Sequence, residues 1–223
     1  VLGGTHLSIR RFLSGWNRGE RRLGGGSLSG AAGVYLAKVI RERRNILVSG
    51  GTGVGKTSLL GAIAGQVSPS QRLLSLEDTA ELLIDHPHVV RLESRPANLE
   101  GQGAVSLPTP LRAAIRLRPD RIILGECRGG EAIDLLQALN TGHAGSMSTI
   151  HANSARDALA RLEVLCMLGS ESALSPEVAR QYISSAVQVV VHLSRRDGRR
   201  RVESIDEVAG IDGGVILLRS ISL

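Results

Sequence analysis

Ile46-Leu47-Val48-Ser49-Gly50-Gly51-Thr52-Gly53-Val54-Gly55-Lys56-Thr57-Ser58-Leu59-Leu60 decides how this chain is read. Within it, Gly50 to Thr57 fits G-x-x-x-x-G-K-[ST]. The flanks are the ones this pattern needs: an apolar run, Ile46 to Val48, that reads as a buried strand, and a helical run from Ser58 to Gln66. Glycines let such a backbone curl until several N–H groups converge on phosphate oxygens, and the following helix start adds partial positive charge. Gly50, Gly51, Thr52, Gly53, Val54, Gly55 and Ser58 are expected to form the cradle. Lys56 is expected to reach the β- and γ-phosphates of a nucleotide, and the Thr57 hydroxyl to bind Mg²⁺.

Outward from this loop the chain alternates as α/β proteins do. Apolar runs at Arg72 to Leu76, Ile122 to Leu124, Ser146 to Ile150 and Val187 to Leu193 read as further buried strands, most of them separated by helical stretches. Ala31 to Arg44 reads as a helix with Val34, Ala37 and Ile40 near one face and arginines at its end. Thr109-Pro110 and Ser175-Pro176 each place a capping hydroxyl before a proline at the first helical position, and Ser154-Ala-Arg-Asp157 resembles a capping box. The tail from Arg200 to Leu218, with Asp197-Gly198 and Gly213-Gly214 as turns, reads as antiparallel hairpins. Residues 1–30, with a Gly24-Gly25-Gly26 run and the basic clusters Arg10-Arg11 and Arg18 to Arg22, read as a linker or the remnant of an upstream domain. A chain that begins at Val1 is expected to be a fragment.

The 223 residues are 42% hydrophobic and 22% charged, enough to bury a full core. No apolar run approaches the roughly 20 residues of a membrane-spanning helix, so the chain is read as soluble and cytoplasmic. Cys127 and Cys166 lack metal or redox spacing and are expected to be buried thiols. The net charge of +6 suits an anionic partner. With aromatics at only 2%, however, a platform for stacking bases is poorly supplied, which argues against nucleic acid as the direct substrate.

Phosphate chemistry needs acids near the loop. Ile122-Ile123-Leu124-Gly125-Glu126 ends a strand in a carboxylate, with Gly125 where an aspartate usually stands. Glu126 is therefore expected to act through a metal-bound water or on the γ-phosphate side. Leu74-Ser75-Leu76-Glu77-Asp78 ends another strand in two acids. Glu77 is the candidate to orient or deprotonate the attacking water, while Asp78 is either a second site acid or a cap on a following helix. In Gly142-His143-Ala-Gly-Ser-Met-Ser-Thr-Ile-His151-Ala-Asn153, two histidines flank a strand rich in small hydroxyls. That composition is costly for a buried strand unless it faces polar chemistry, and the absence of cysteine or carboxylate at ligand spacing argues against zinc.

The loop, Leu76-Glu-Asp-Thr-Ala-Glu-Leu82, Arg118-Pro-Asp-Arg-Ile-Ile-Leu-Gly-Glu126 and the histidine block together resemble the traffic ATPases of type II and type IV secretion, type IV pili and conjugation. Leu117-Arg-Pro-Asp-Arg121, Gly125-Glu-Cys-Arg-Gly-Gly-Glu131 and Arg200-Arg-Val-Glu-Ser-Ile-Asp-Glu-Val208 most resemble the CpaF-type ATPases of Flp/Tad pilus assembly. The resemblance implies a RecA-like ATPase domain over 31–223, with a mostly parallel sheet flanked by helices and C-terminal antiparallel strands. It also implies ATP and Mg²⁺ as ligands, a homohexameric ring and an inner-membrane platform protein as partner. Glu77 then corresponds to the water-activating acid, Glu126 to an atypical Walker B acid and metal ligand, and His151 to a γ-phosphate sensor. Arg10 corresponds to an arginine reaching the γ-phosphate, and Arg112 and Arg116 to further nucleotide or interface arginines. The rival classes are a RecA-type nucleic-acid motor and a small-molecule kinase; the histidine block has no role in the latter.

Overall fold

The computed structural model describes residues 30–169 and 174–222. The order of elements is α1 (Ala31–Arg41), β1 (Ile46–Gly50), α2 (Lys56–Ala64), β2 (Leu73–Glu77), β3 (Val89–Glu93), α3 (Pro108–Arg116), β4 (Arg121–Leu124), α4 (Glu131–Asn140), β5 (Met147–His151), α5 (Ala155–Gly169), α6 (Pro176–Ala186), β6 (Val189–Arg196), β7 (Arg199–Asp212) and β8 (Val215–Ser220). The strands form one sheet in the order β3-β2-β4-β5-β1-β6-β7-β8. From β3 to β6 every pairing is parallel, and β7 and β8 add antiparallel hairpins at one edge. This is the α/β arrangement expected from the sequence.

Continuous apolar runs form the inner strands because both faces of the sheet are covered. Leu47 points into a core half shared with α3, α4, α5 and α6. Its neighbours Ile46 and Val48 point into the other half, shared with α1 and α2. Arg121, 1% exposed, ties the framework by donating to Gln71 Oε1 (2.6 Å), Gly145 O (3.2 Å) and Ile40 O (2.8 Å).

Several local expectations change. In α1 Ile40 is buried as expected, together with Ala32, Leu36 and Val39, whereas Ala37 is only half-buried and Val34 is 72% exposed, so the buried face is rotated away from Val34. That helix ends at Arg41, and Arg43 turns left-handed at φ 55° to donate to Asp120 O. Helix α3 begins at Pro108, so Thr109 lies inside it and caps nothing. Ser175 does cap α6, accepting from Val178 N, and Ser154 Oγ accepts from Asp157 N. Both glycine turns are hairpin turns with positive φ at each central residue. Strand β3 was not anticipated: it is a half-exposed edge strand, so it lacks the apolar run by which buried strands are read.

Candidate active site

The parallel strands deliver their carboxyl ends to one side of the sheet, where ligand sites of such folds form. Gly50 ends β1, and its register partner on β5 is His151. Glu77 ends β2, and Glu126 follows the end of β4 by two residues. Neighbouring strand ends thus bring together four segments that are up to about a hundred residues apart in the chain.

The loop leaves β1 at Gly50, where a Cβ would stand 2.6 Å from Leu193 O of β6 at a φ of 151°; only glycine fits so close a crossing. Lys56 opens α2 and folds back on the loop, its Nζ donating to Gly50 O (3.0 Å) and Gly51 O (2.8 Å). The same nitrogen lies 3.4 Å from both ring nitrogens of His151. His151 Nε2 lies 2.6 Å from Glu126 Oε1. Glu126 Oε2 in turn accepts from Arg128 Nε (2.6 Å), and Arg128 reaches Asp78 at 3.6 Å. A continuous polar chain therefore runs from the Gly50–Thr57 loop across the ends of β5, β4 and β2.

Electrostatics follow from that packing. Burial, then the adjacent Lys56 charge, lowers the His151 pKa below the usual imidazole value, which favours the neutral ring beside Glu126. Burial also lowers Lys56, an effect opposed by Glu126. Glu77 is 6% exposed, and its Oε2 accepts from the N–H groups of Glu81 (2.9 Å) and Leu82 (2.7 Å). Burial outweighs those two bonds and raises its pKa.

Thr57, Glu77, Asp78, Glu126 and Arg128 line one cleft of about 100 Å³. Its donors on the Thr57, Glu77, Asp78 and Glu126 side are hard oxygens, the chemistry Mg²⁺ prefers. Among the described residues no three His, Cys, Asp or Glu side chains are grouped to cage a metal. The residues therefore fit an ion held by one or two protein oxygens and shared with phosphates.

Other expected residues fall elsewhere. Arg10 lies outside the described residues. His143 does not face the site: its Nδ1 donates to Ala138 O at 3.1 Å and it is 8% exposed, so of the two histidines only His151 lies beside Lys56 and Glu126. The hydroxyls of the histidine block bind backbone, with Thr149 Oγ1 donating to Gly125 O at 2.7 Å and Ser146 Oγ accepting from Ile122 N at 2.8 Å. No helix follows Asp78, which removes the capping role; its Oδ1 accepts from Ser94 Oγ. Arg112 pairs with Asp134 of α4 at 3.0 Å. Cys127 and Cys166 are buried free thiols. Arg128 carried no assignment from sequence; its only signal was its place two residues after Glu126.

Residues 1–209 match the family described as Type II/IV secretion system protein. A putative conjugal transfer protein of Mycobacterium tuberculosis is 43% identical over 213 residues, 95% of this chain and 60% of that protein. The type IV secretion system protein PtlH of Bordetella pertussis is 43% identical over 212 residues, 92% of this chain and 59% of that protein. The chain thus spans about 60% of the length of these relatives. The crystal structure of the VirB11 ATPase from the Brucella suis type IV secretion system, in complex with sulphate, superposes with a TM-score of 0.70 at 31% identity, covering 88% of this chain and 57% of that one. Among the described residues no helix is long and apolar enough to cross a membrane.

Proposed function

Because this chain belongs to the type II/IV secretion system protein family, we propose that it is the RecA-like ATPase core of a motor that powers pilus assembly or protein export. The observation that carries this reading is the polar chain Lys56–His151–Glu126–Arg128 at the mouth of the phosphate loop, with Glu77 across the same cleft. Gly50 to Ser58 hold the phosphates of ATP, and Lys56 leaves the loop carbonyls for the β- and γ-phosphate oxygens. Thr57 and Glu126 would hold Mg²⁺. When bound, Mg²⁺ neutralises charge developing on the transferred phosphate.

Glu77 positions and deprotonates the attacking water. Its neighbour Gly125 leaves room for that side chain, and its bonds to Glu81 and Leu82 fix its direction. His151, set between Lys56 and Glu126, reports γ-phosphate occupancy to the Glu126 side of the cleft. The motor works as a homohexamer on the cytoplasmic face of the inner membrane against a platform protein, and Arg10 completes the γ-phosphate site. The sequence blocks place it nearest the CpaF-type pilus motors.

Phosphate release from ATP tests the reading. Wild-type chain turns over, whereas Lys56→Ala and Glu77→Gln do not while keeping a folded circular-dichroism spectrum; full activity in Glu77→Gln removes the base assignment. Particle mass with and without ATP tests the ring. A second reading, a conjugation-type DNA-transfer motor, is favoured by the 43% identity to a conjugal transfer protein. ATP turnover stimulated by DNA, and lost steeply with salt, would select it.

A further inference from the structure

The hairpin joining β6 and β7 carries Arg195, Arg196, Arg199, Arg200 and Arg201 around the Asp197-Gly198 turn. It lies along the phosphate loop on the side away from His151, because β6 and β5 flank β1 from opposite sides. Two close approaches fix it there. One is the Leu193 carbonyl against Gly50. The other is Arg200, whose Cδ stands 3.3 Å from the point where a Cβ on Gly55 would sit, with Nε and a terminal nitrogen 3.9 Å from it. Gly55 is the last residue before Lys56, in the part of the loop that cradles phosphate.

Strand alternation explains why Arg200 is the arginine that arrives. Val202, two residues on, packs against the core half that holds Val54 and Leu59, so Arg200 shares its face. Arg199 and Arg201 occupy the opposite face. Arg195 donates to Gly198 O at 3.2 Å, and Arg196 pairs with Glu203.

Resting on the nucleotide reading above, we propose that Arg200 is a phosphate-contacting residue of the nucleotide site, closing the cradle from the C-terminal hairpin. A guanidinium presents paired N–H donors that match phosphate oxygens, and at Gly55 it stands beside the loop with no intervening side chain on that residue. Its ligand class is a nucleoside di- or triphosphate. Occupancy of the site is thereby linked to the position of β7 and β8, which continue from the same hairpin.

The test titrates the full chain with ADP and with ATP, each with Mg²⁺, by calorimetry, using wild type, Arg200→Gln, Arg200→Lys, Arg199→Gln and Lys56→Ala. Arg200→Gln is expected to bind both nucleotides about tenfold more weakly, the scale of one charge-assisted contact. Arg200→Lys is expected to fall between it and wild type. Arg199→Gln removes the same charge from the other face and is expected to bind within about twofold of wild type. The proposal is overturned if Arg200→Gln binds like wild type while Lys56→Ala loses binding, a result that leaves the nucleotide reading standing. It is also overturned if Arg199→Gln loses as much, since the effect is then the diffuse field of the hairpin. A third contrary result is an Arg200→Gln chain whose ligand-free melting temperature drops while the rise on adding ADP is unchanged; Arg200 is then only a buttress. A wild-type chain that binds neither nucleotide overturns this proposal and the underlying reading together.

Discussion

Gly125 and Glu77 share one volume: Cγ of Glu77 stands 2.9 Å from the point where a Cβ on residue 125 would sit. A side chain at position 125 would crowd Glu77, and the glycine leaves that acid its place. Gly125→Ala is therefore expected to displace Glu77, lowering ATP turnover by about 10²-fold or more, the scale of a lost general base. ADP affinity stays near wild type. Phosphate-release kinetics beside calorimetry separate the two; unchanged turnover would show that Glu77 does not depend on this space.

The pH dependence of turnover carries the mark of Glu77 burial. In the proposed role of base the carboxylate must be ionised, and burial raises its pKa above the ordinary glutamate value. Turnover is expected to fall on acidification at a higher pH than a solvated glutamate would give. The measurement is a turnover profile from pH 4 to 8, with unfolding followed in parallel to exclude acid denaturation.

Stability toward acid should report Glu207. Its carboxylate accepts from Arg219, from Tyr35 Oη at 2.5 Å and from Arg44 at 2.5 Å, and these bonds hold its pKa down to about 2. A depressed folded-state pKa adds stability that is fully present above the unfolded value, about 4.3, and is lost as pH falls through about 2. Glu207→Ala is expected to cost about 1–3 kcal/mol at pH 7. The difference from wild type should shrink below about pH 4. Urea unfolding at pH 7 and pH 3 checks it.

Arg121 supports the frame beneath the site. Arg121→Ala removes three donors and leaves Ile40 O and Gly145 O short of them in a closed interior, beside a new cavity. The expected loss is roughly 2–5 kcal/mol. Arg121→Met keeps much of the packed stem and should lose less. Urea midpoints with unchanged slope would show that both variants act on stability alone.

The inner strands were legible because both of their faces are buried, so apolar runs announce them. Edge strand β3 was not, since half exposure lets Arg91 and Glu93 sit in it without cost. Glu77, Glu126 and His151 were legible as polar residues at the ends of such runs. His143 looked equivalent to His151, and no sequence signal separated the one bonded to the end of α4 from the one beside Lys56.

By itself the sequence determined the glycine-rich loop between β1 and α2, the alternating α/β order and the family, because all three are written in local spacing and in short blocks along the chain. Only the tertiary structure decided the company the loop keeps. Parallel register set His151 beside Gly50, strand order carried Arg128 from Glu126 toward Asp78, and a hairpin some 145 residues downstream laid Arg200 against Gly55. Those neighbours are fixed by which strands pair and which faces they bury, quantities that depend on residues far apart in the chain.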